Sequence, residues 1–360
     1  MRRTLLVLLV SCALLLPSCS PASSTDLAPG APQLVFLHTE ASGGLQLVSQ
    51  ATLHSPSSIL PFHLPANCPV YKLYPNPVAA LLAVEFECGG GPAVLVYNLQ
   101  SGETFNPAET LQADARFLAW SVDGHSLYLK TDSLGNPQIL RFDHTRNRLV
   151  TLSLPGTIYD LVALPDGRIV YSLSRGLGFG SETWLADADG HHARQILAEP
   201  LDIAAYLRPS PDGNQIAYIL MPDSQTPFTV GELWMMSADG KNPHALAEAD
   251  AGHGYAPAWS PDGMQIAFVV RENSNDPQAD QSAGALISNI YRIKVQDGTL
   301  VPVTSLSDAI VGAPVWSPDS TALFFNVTRN DTIQIWFNDA GALQPLSEED
   351  ACCAVWVPGR

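Results

Sequence analysis

A motif that returns every forty-odd residues, a second Asp-Gly turn after each copy, and the absence of any 3.6-residue apolar period predict an all-β fold. The specific expectation is a β-propeller of four-stranded antiparallel blades. The motif is a small or apolar run, then Trp-Ser-Pro-Asp-Gly, then an aliphatic-aromatic strand. It is clearest at Trp259-Ser260-Pro261-Asp262-Gly263. It recurs at Ser210-Pro211-Asp212-Gly213 and at Trp316-Ser317-Pro318-Asp319-Ser320. Weaker copies are Trp120-Ser121-Val122-Asp123-Gly124 and Leu164-Pro165-Asp166-Gly167, and the most degraded is Tyr74-Pro75-Asn76-Pro77. With Asp123, Asp166, Asp212, Asp262 and Asp319 as markers, and Asn76 standing for the first, the gaps are 47, 43, 46, 50 and 57 residues.

The motif has a mechanical reading. Proline presets φ at the first central position of a tight turn, the aspartate side chain accepts from the turn's amides, and glycine supplies the positive φ that starts the return strand. These five aspartates are therefore structural turn residues rather than catalytic ones. The tryptophan is expected to point into the packing between blades. The strand after the turn is almost wholly apolar, as befits one covered on both faces. A second hairpin signal follows, clearest at Asp189-Gly190, Asp239-Gly240 and Asp297-Gly298, so each repeat holds four strands.

The paired pattern resembles the propeller repeat of the TolB-like, WSPDG-repeat family and covers about residues 33–360. The resemblance implies a propeller fold. It implies little about function, because propellers carry many unrelated roles. TolB has six blades and an α/β domain ahead of its propeller, whereas here strands begin within about 15 residues of Cys19, so TolB's partners are not carried over.

Six turns are visible, and the ends supply more. Residues 34–37 and 44–48 read as the later strands of a blade that lacks its first strand, and 353–359 as a first strand without followers. Joined, they make a seventh blade that closes the ring and leaves no open sheet edge. Seven blades of about 47 residues fill 33–360, and six is the alternative. The longest gap comes from a polar stretch, Arg271 to Gly284, expected as an exposed surface insertion between the second and third strands of its blade.

Ahead of the repeats, Met1-Arg2-Arg3 is a short basic region and Thr4 to Leu16 an uncharged apolar run. That run is too short for a bilayer core, which takes roughly 20 residues as a helix. It reads as a secretory signal, residues 1–18. Its end, Leu16-Pro17-Ser18-Cys19, resembles the lipobox of bacterial lipoproteins, with Pro17 where a small residue is usual. The resemblance implies a diacylglyceryl group on Cys19 and an extracytoplasmic domain held to the cell membrane or outer membrane by lipid. Residues 19–32, rich in Pro, Ser, Ala and Gly, suit a flexible tether. The alternative is an ordinary secretory signal with an incidental cysteine.

The formal net charge is −17, and about −19 once Arg2 and Arg3 leave with the signal. An acidic surface argues against nucleic acid and against adhesion to anionic lipid. Of six cysteines, Cys68, Cys88, Cys352 and Cys353 remain after Cys12 and Cys19 are assigned, and three pairings are open. Cys68 and Cys88 flank the turn near Asn76 symmetrically and would face each other across two strands. Cys352 and Cys353 read as a vicinal bond, as partners of a neighbouring blade, or as free thiols.

Chemical motifs are sparse. There is no Gly-x-Ser-x-Gly elbow, so the prolyl-oligopeptidase arrangement is set aside. Gly176-Leu177-Gly178-Phe179-Gly180 resembles a glycine-rich loop, but no helix pattern follows, and it reads as a blade loop. The nine histidines lack metal-ligand spacing, His191-His192 follows a turn, and Glu348-Glu349-Asp350 reads as a solvated loop. No catalytic residue, metal or cofactor is implied. The expectation is a binding or scaffold module for a protein, peptide or glycan. The alternative is a propeller enzyme acting on polysaccharide, with a metal or a His/acid site at the central pore.

Overall fold

The computed structural model describes residues 30–40, 43–53, 55–63, 68–109, 114–133, 136–347 and 350–359. Cys19 and its lipobox, most of the tether, and Glu348-Glu349 lie outside them.

Among the described residues the chain forms twenty-eight strands in seven four-stranded antiparallel sheets. Blade 1 contains β1 (Gln33–Thr39), β2 (Leu45–Gln50) and β3 (Ser57–Ile59). Blade 2 is β4 (Val70–Pro75), β5 (Leu81–Cys88), β6 (Gly91–Asn98) and β7 (Thr104–Phe105). Blade 3 is β8 (Ala115–Trp120), β9 (Ser126–Ser133), β10 (Asn136–Asp143) and β11 (Arg148–Thr151). Blade 4 is β12 (Ile158–Ala163), β13 (Ile169–Ser174), β14 (Ser181–Ala186) and β15 (Arg194–Glu199). Blade 5 is β16 (Asp202–Pro209), β17 (Gln215–Pro222), β18 (Val230–Ser237) and β19 (His244–Asp250). Blade 6 is β20 (Ala258–Trp259), β21 (Gln265–Arg271), β22 (Ser288–Lys294) and β23 (Leu300–Pro302). Blade 7 is β24 (Ile310–Trp316), β25 (Ala322–Arg329), β26 (Thr332–Asp339) and β27 (Ala342–Pro345). The last strand, β28 (Ala351–Val357), returns to blade 1 and pairs with β1, Gln33 opposite Val357. The ring therefore has seven blades and is closed by strands from both ends of the chain.

The first strands touch from blade to blade around the ring (β28–β4, β8–β12, β12–β16, β16–β20, β20–β24, β24–β28), so they surround the axis. The last strands are exposed, wholly so in β3 and β27. The core is divided into seven clusters, one at each blade interface. Second strands supply most of it: Leu81 to Phe86 of β5 are all buried, as are Ile266 to Val269 of β21.

The repeat motif builds a self-satisfied turn. Ser121, Ser210 and Ser317 each donate Oγ–H to the aspartate two residues on, at 2.6 Å. The same Oγ accepts from the amide five residues on, at 2.9–3.0 Å. The aspartate accepts from the backbone amide two residues beyond it, as Asp262 does from Met264 at 2.9 Å. Gly124, Gly213 and Gly263 take φ of 69–72°, where a side chain would be strained. Three tryptophans tie blades together by donating Nε1–H to a first-strand carbonyl of the preceding blade: Trp120 to Tyr74, Trp259 to Arg208 and Trp316 to Ala258, at 2.9–3.1 Å.

Three local readings change. Asn76 does not stand in for the turn aspartate. Its amide donates to the Leu81 carbonyl as Ser121 does to Ser126, so it occupies the serine position, and its Nδ2 bridges to Gly124 of the next blade at 2.8 Å. Val78 takes the aspartate position. The stretch after β21 is not simply exposed: the Arg271 side chain is fully buried and paired with Asp280 at 2.8 Å, Ala279 is buried, and 283–285 form a short 3-10 turn. The glycine-rich loop does hold an anion, though not at a helix end. Gly178 and Gly180 donate their amides to the Asp223 carboxylate of blade 5 at 2.7 and 2.8 Å.

Candidate functional site

Each first strand runs toward its Pro-Asp-Gly turn, so all these turns lie at one end of the channel. The connections between blades, and the loops 175–180, 223–229 and 272–287 between second and third strands, lie at the other end. That loop-side end is the mouth.

At the mouth the first strands are irregular. Their pairing to the second strand slips at Tyr71, Leu118, Tyr159, Tyr206–Leu207 and Ala313–Pro314 of blades 2, 3, 4, 5 and 7. β28 slips likewise against β1. A bulge rotates the residues beside it off the strand's alternation and re-aims their side chains. Tyr206, Ala313 and Cys353 are left-handed, with φ of 56°, 55° and 65°, a conformation unusual for non-glycine residues and concentrated at functional sites.

Aligned on the turns, the seventh and sixth residues before the aspartate position form one layer around the channel. They are Cys352–Cys353, Tyr71–Lys72, Arg116–Phe117, Tyr159–Asp160, Ala205–Tyr206, Tyr255–Ala256 and Gly312–Ala313 in blades 1 to 7. The layer is lopsided. Blades 2 to 5 contribute aromatic and charged side chains. Blades 7 and 1 contribute Gly312, Ala313 and a vicinal Cys352–Cys353 disulfide. A Cβ on Gly312 would run into the Tyr255 ring, so the small residue there makes room for the large one from blade 6.

The polar groups are coupled. Tyr74 donates its hydroxyl to Glu85 at 2.9 Å, and Arg116 pairs with the same carboxylate at 3.4 Å. Arg116 also lies 5.9 Å from the Tyr71 ring centre. Asp160 Oδ2 accepts the Leu207 amide at 2.6 Å and sits 4.0 Å from Arg208. Tyr159 and Tyr206 meet edge to face at 6.5 Å. Lys72 Nζ lies 5.4 Å from the Tyr74 ring centre and has no hydrogen-bond acceptor among the described residues. Burial, then the Arg208 charge, lowers the Lys72 pKa to about 8, although Asp160 and Glu85 pull it back up. Burial also raises the hydroxyl pKa of Tyr74 and Tyr206, and that of the Glu85 carboxyl. Tyr71 and Tyr159 are 65% and 48% exposed, so their rings stand at the opening rather than in the wall.

The structure places Asp123, Asp166, Asp212, Asp262 and Asp319 together at the turn end, engaged in their own turns and remote from the mouth. Cys68 and Cys88 are bonded to each other at the mouth end of β4 and β5. Among the described residues no group of three His, Cys, Asp or Glu is disposed to hold a metal ion. A cleft of about 440 Å³ beneath the 272–287 loop is a separate feature. Its Glu272 already accepts from Asn289 and Tyr291 at 3.2 Å. Reading single motifs misses the mouth residues, because no two blades carry the same ones. The signal lies in the alignment itself, in the inner-strand positions seven, six and four before the aspartate position, where Tyr, Lys, Arg and Asp of blades 2 to 5 replace small or apolar residues.

Seven blades around an asymmetric polar mouth define a β-propeller with one specialised opening. No protein-family model and no curated protein matches the sequence. Among solved structures it is similar to an oligogalacturonate lyase in complex with manganese (TM-score 0.62, 13% identity, 88% of this chain and 86% of that one). It is also similar to TolB from Acinetobacter baumannii (TM-score 0.53, 14% identity, 90% and 66%). A third likeness is to a prolyl endopeptidase (TM-score 0.59, 9% identity, 90% and 50%). The chain thus spans half of the endopeptidase and just under two thirds of TolB. At these identities the likeness establishes architecture: the fold is a TolB-like β-propeller.

Proposed function

We propose that this is a lipid-tethered, extracytoplasmic propeller that binds a protein, peptide or glycan at its loop-side mouth. The observation that carries the reading is the unrepeated layer of Tyr71, Lys72, Arg116, Tyr159, Asp160 and Tyr206 on a scaffold whose other positions repeat. Rigid strands hold these groups, and tyrosine and arginine combine contact area with hydrogen bonding at low entropic cost. The tether supports the same picture. Gly30 lies beside Gly359, past the turn end of β28, so the described chain enters the propeller at the end opposite the mouth. Two acyl chains on Cys19 would hold it stably, at about 0.8 kcal/mol per buried CH₂.

Two experiments test this. Labelled palmitate is expected in the intact protein and absent from Cys19→Ala; equal labelling overturns the anchor. On glycan and peptide arrays the soluble domain is expected to retain a ligand that the Tyr206→Ala/Arg208→Ala variant loses at unchanged folding. Retention by the double variant overturns the mouth as the site.

A second reading, an enzyme acting on polysaccharide, is supported by Lys72, whose pKa near 8 lies close to that useful for proton abstraction at neutral pH. It is also supported by the architecture shared with oligogalacturonate lyase. It requires release of new chain ends from a polysaccharide by the wild type and none by Lys72→Met.

A further inference from the structure

We propose that Lys72 and Arg208 form a carboxylate subsite in the mouth, with Asp160 accepting from a hydroxyl or amide N–H next to the ligand's carboxylate. This rests on the mouth being the binding site.

The cations of the mouth are unequally employed. Arg116 is occupied by Glu85 at 3.4 Å and Glu87 at 3.7 Å. Lys72 makes no hydrogen bond or ion pair with the described residues: the Tyr74 ring lies 5.4 Å away, and Arg208, Asp160 and Glu85 act on its charge from further off. Arg208 donates Nη1–H to the Leu207 carbonyl at 2.6 Å and reaches Asp160 only at 4.0 Å. Asp160 spends Oδ2 on the Leu207 amide, and its Oδ1 takes no hydrogen bond from the described residues. Two neighbouring positive side chains therefore face one divided carboxylate.

Like charges that share a desolvated channel repel, and an anion between them relieves both. A single negative charge fits better than a dianion, because Asp160 and Glu85 oppose a second one. A planar carboxylate matches the guanidinium fork. The free Oδ1 of Asp160 then selects ligands with a donor close to the carboxylate, as in a sugar acid or a peptide C-terminus. Ala313 and the Cys352–Cys353 disulfide add no charged or aromatic group to the layer, and the exposed Tyr71 and Tyr159 rings stand at the opening.

Calorimetric titration of the soluble domain with D-glucuronate and with trialanine, each beside a twin that lacks the carboxylate (D-glucose, trialanine amide), tests the proposal. At least one carboxylate is expected to bind about tenfold or more tightly than its twin, and which one identifies the source. The preference is expected to vanish in Lys72→Met and Arg208→Gln, and to weaken from pH 7 to pH 9 as Lys72, faced by Arg208, Asp160 and Glu85, loses its proton. If either variant misfolds, acylation of Lys72 by acetic anhydride in the wild type, read by mass spectrometry, replaces it. The carboxylate should slow that reaction and its twin should not. Equal binding of the twins, an unchanged preference in the variants, or no binding of either carboxylate overturns the subsite. The mouth itself falls only if the array ligand survives Tyr206→Ala/Arg208→Ala.

Discussion

The two ends of the channel are built on the same seven strands and follow opposite rules. At the turn end, serine, aspartate and glycine recur with hydrogen bonds that match to within about 0.1 Å from blade to blade. The serine hydroxyl and aspartate carboxylate of each full copy have partners in their own turn. At the mouth, no two blades carry the same pair of residues, the ladders are bulged, and Lys72 is left without an acceptor among the described residues. Repetition marks what the ring needs in order to close. Departure from repetition marks what closure does not require, and it is there that the proposed binding site lies. The difference also separates two meanings of a carboxylate: Asp212 serves its own turn, whereas Asp160 is divided between a backbone amide and a cation from another blade.

Substitutions can break or sharpen this contrast. The largest effect is expected for Trp316→Ala, which empties a nearly buried site at the blade 6–7 interface and removes the bond to Ala258. Urea denaturation should show a loss of about 3–5 kcal/mol. A loss no larger than that of mouth variants would dissolve the distinction. Next, Cys68→Ser/Cys88→Ser opens a cross-link of sequence separation 20, and about 3 kcal/mol is expected from loop-closure entropy. Because the bond sits at the mouth end of blade 2, ligand affinity should fall with it, and stability loss alone would place the bond outside the site.

Third, Lys72→Met is expected to stabilise the fold at neutral pH. The folded pKa near 8 lies below the ordinary 10.5, so the unfolded chain binds the extra proton between those values. Wild-type stability therefore rises from pH 8 to 10.5, by on the order of 3 kcal/mol. In the variant that rise should be missing from unfolding curves recorded at stepped pH. Smallest are Asp212→Asn and Asp319→Asn. Hydrogen bonds, first from Ser210 and Ser317, hold these carboxyls below the usual carboxylate range. Their contribution is present above about pH 4 and disappears as the pH falls through the depressed values. Screening in these exposed turns keeps each near 0.5 kcal/mol. A penalty that persists at pH 2 would show that the amide fails sterically rather than electrostatically.

The turn end was legible in the sequence because its chemistry is local: serine, proline, aspartate and glycine act on amides within five residues. The same locality exposed the split blade, since residues 353–359 and 34–48 each carry half of a recognisable unit. The Asn76 register was misread by two residues because its blade has lost the serine and the aspartate, and only hydrogen bonding to Leu81 fixes the frame. The mouth was not legible for the converse reason. Lys72, Asp160 and Arg208 come from three blades, 136 positions apart at the extremes, and become neighbours only through ring closure. The bulges that aim them leave no composition signal.

The pairing of β28 with β1 also sets a timetable. Six blades can form as the chain emerges, yet the seventh waits for the final ten or so residues, and those residues bring Cys352 and Cys353, one wall of the mouth. The proposed site is therefore completed last. A chain clipped before β28 would keep six complete blades but lose one wall of the proposed site, and it would be left with the bare backbone edge of β1 open to another polypeptide.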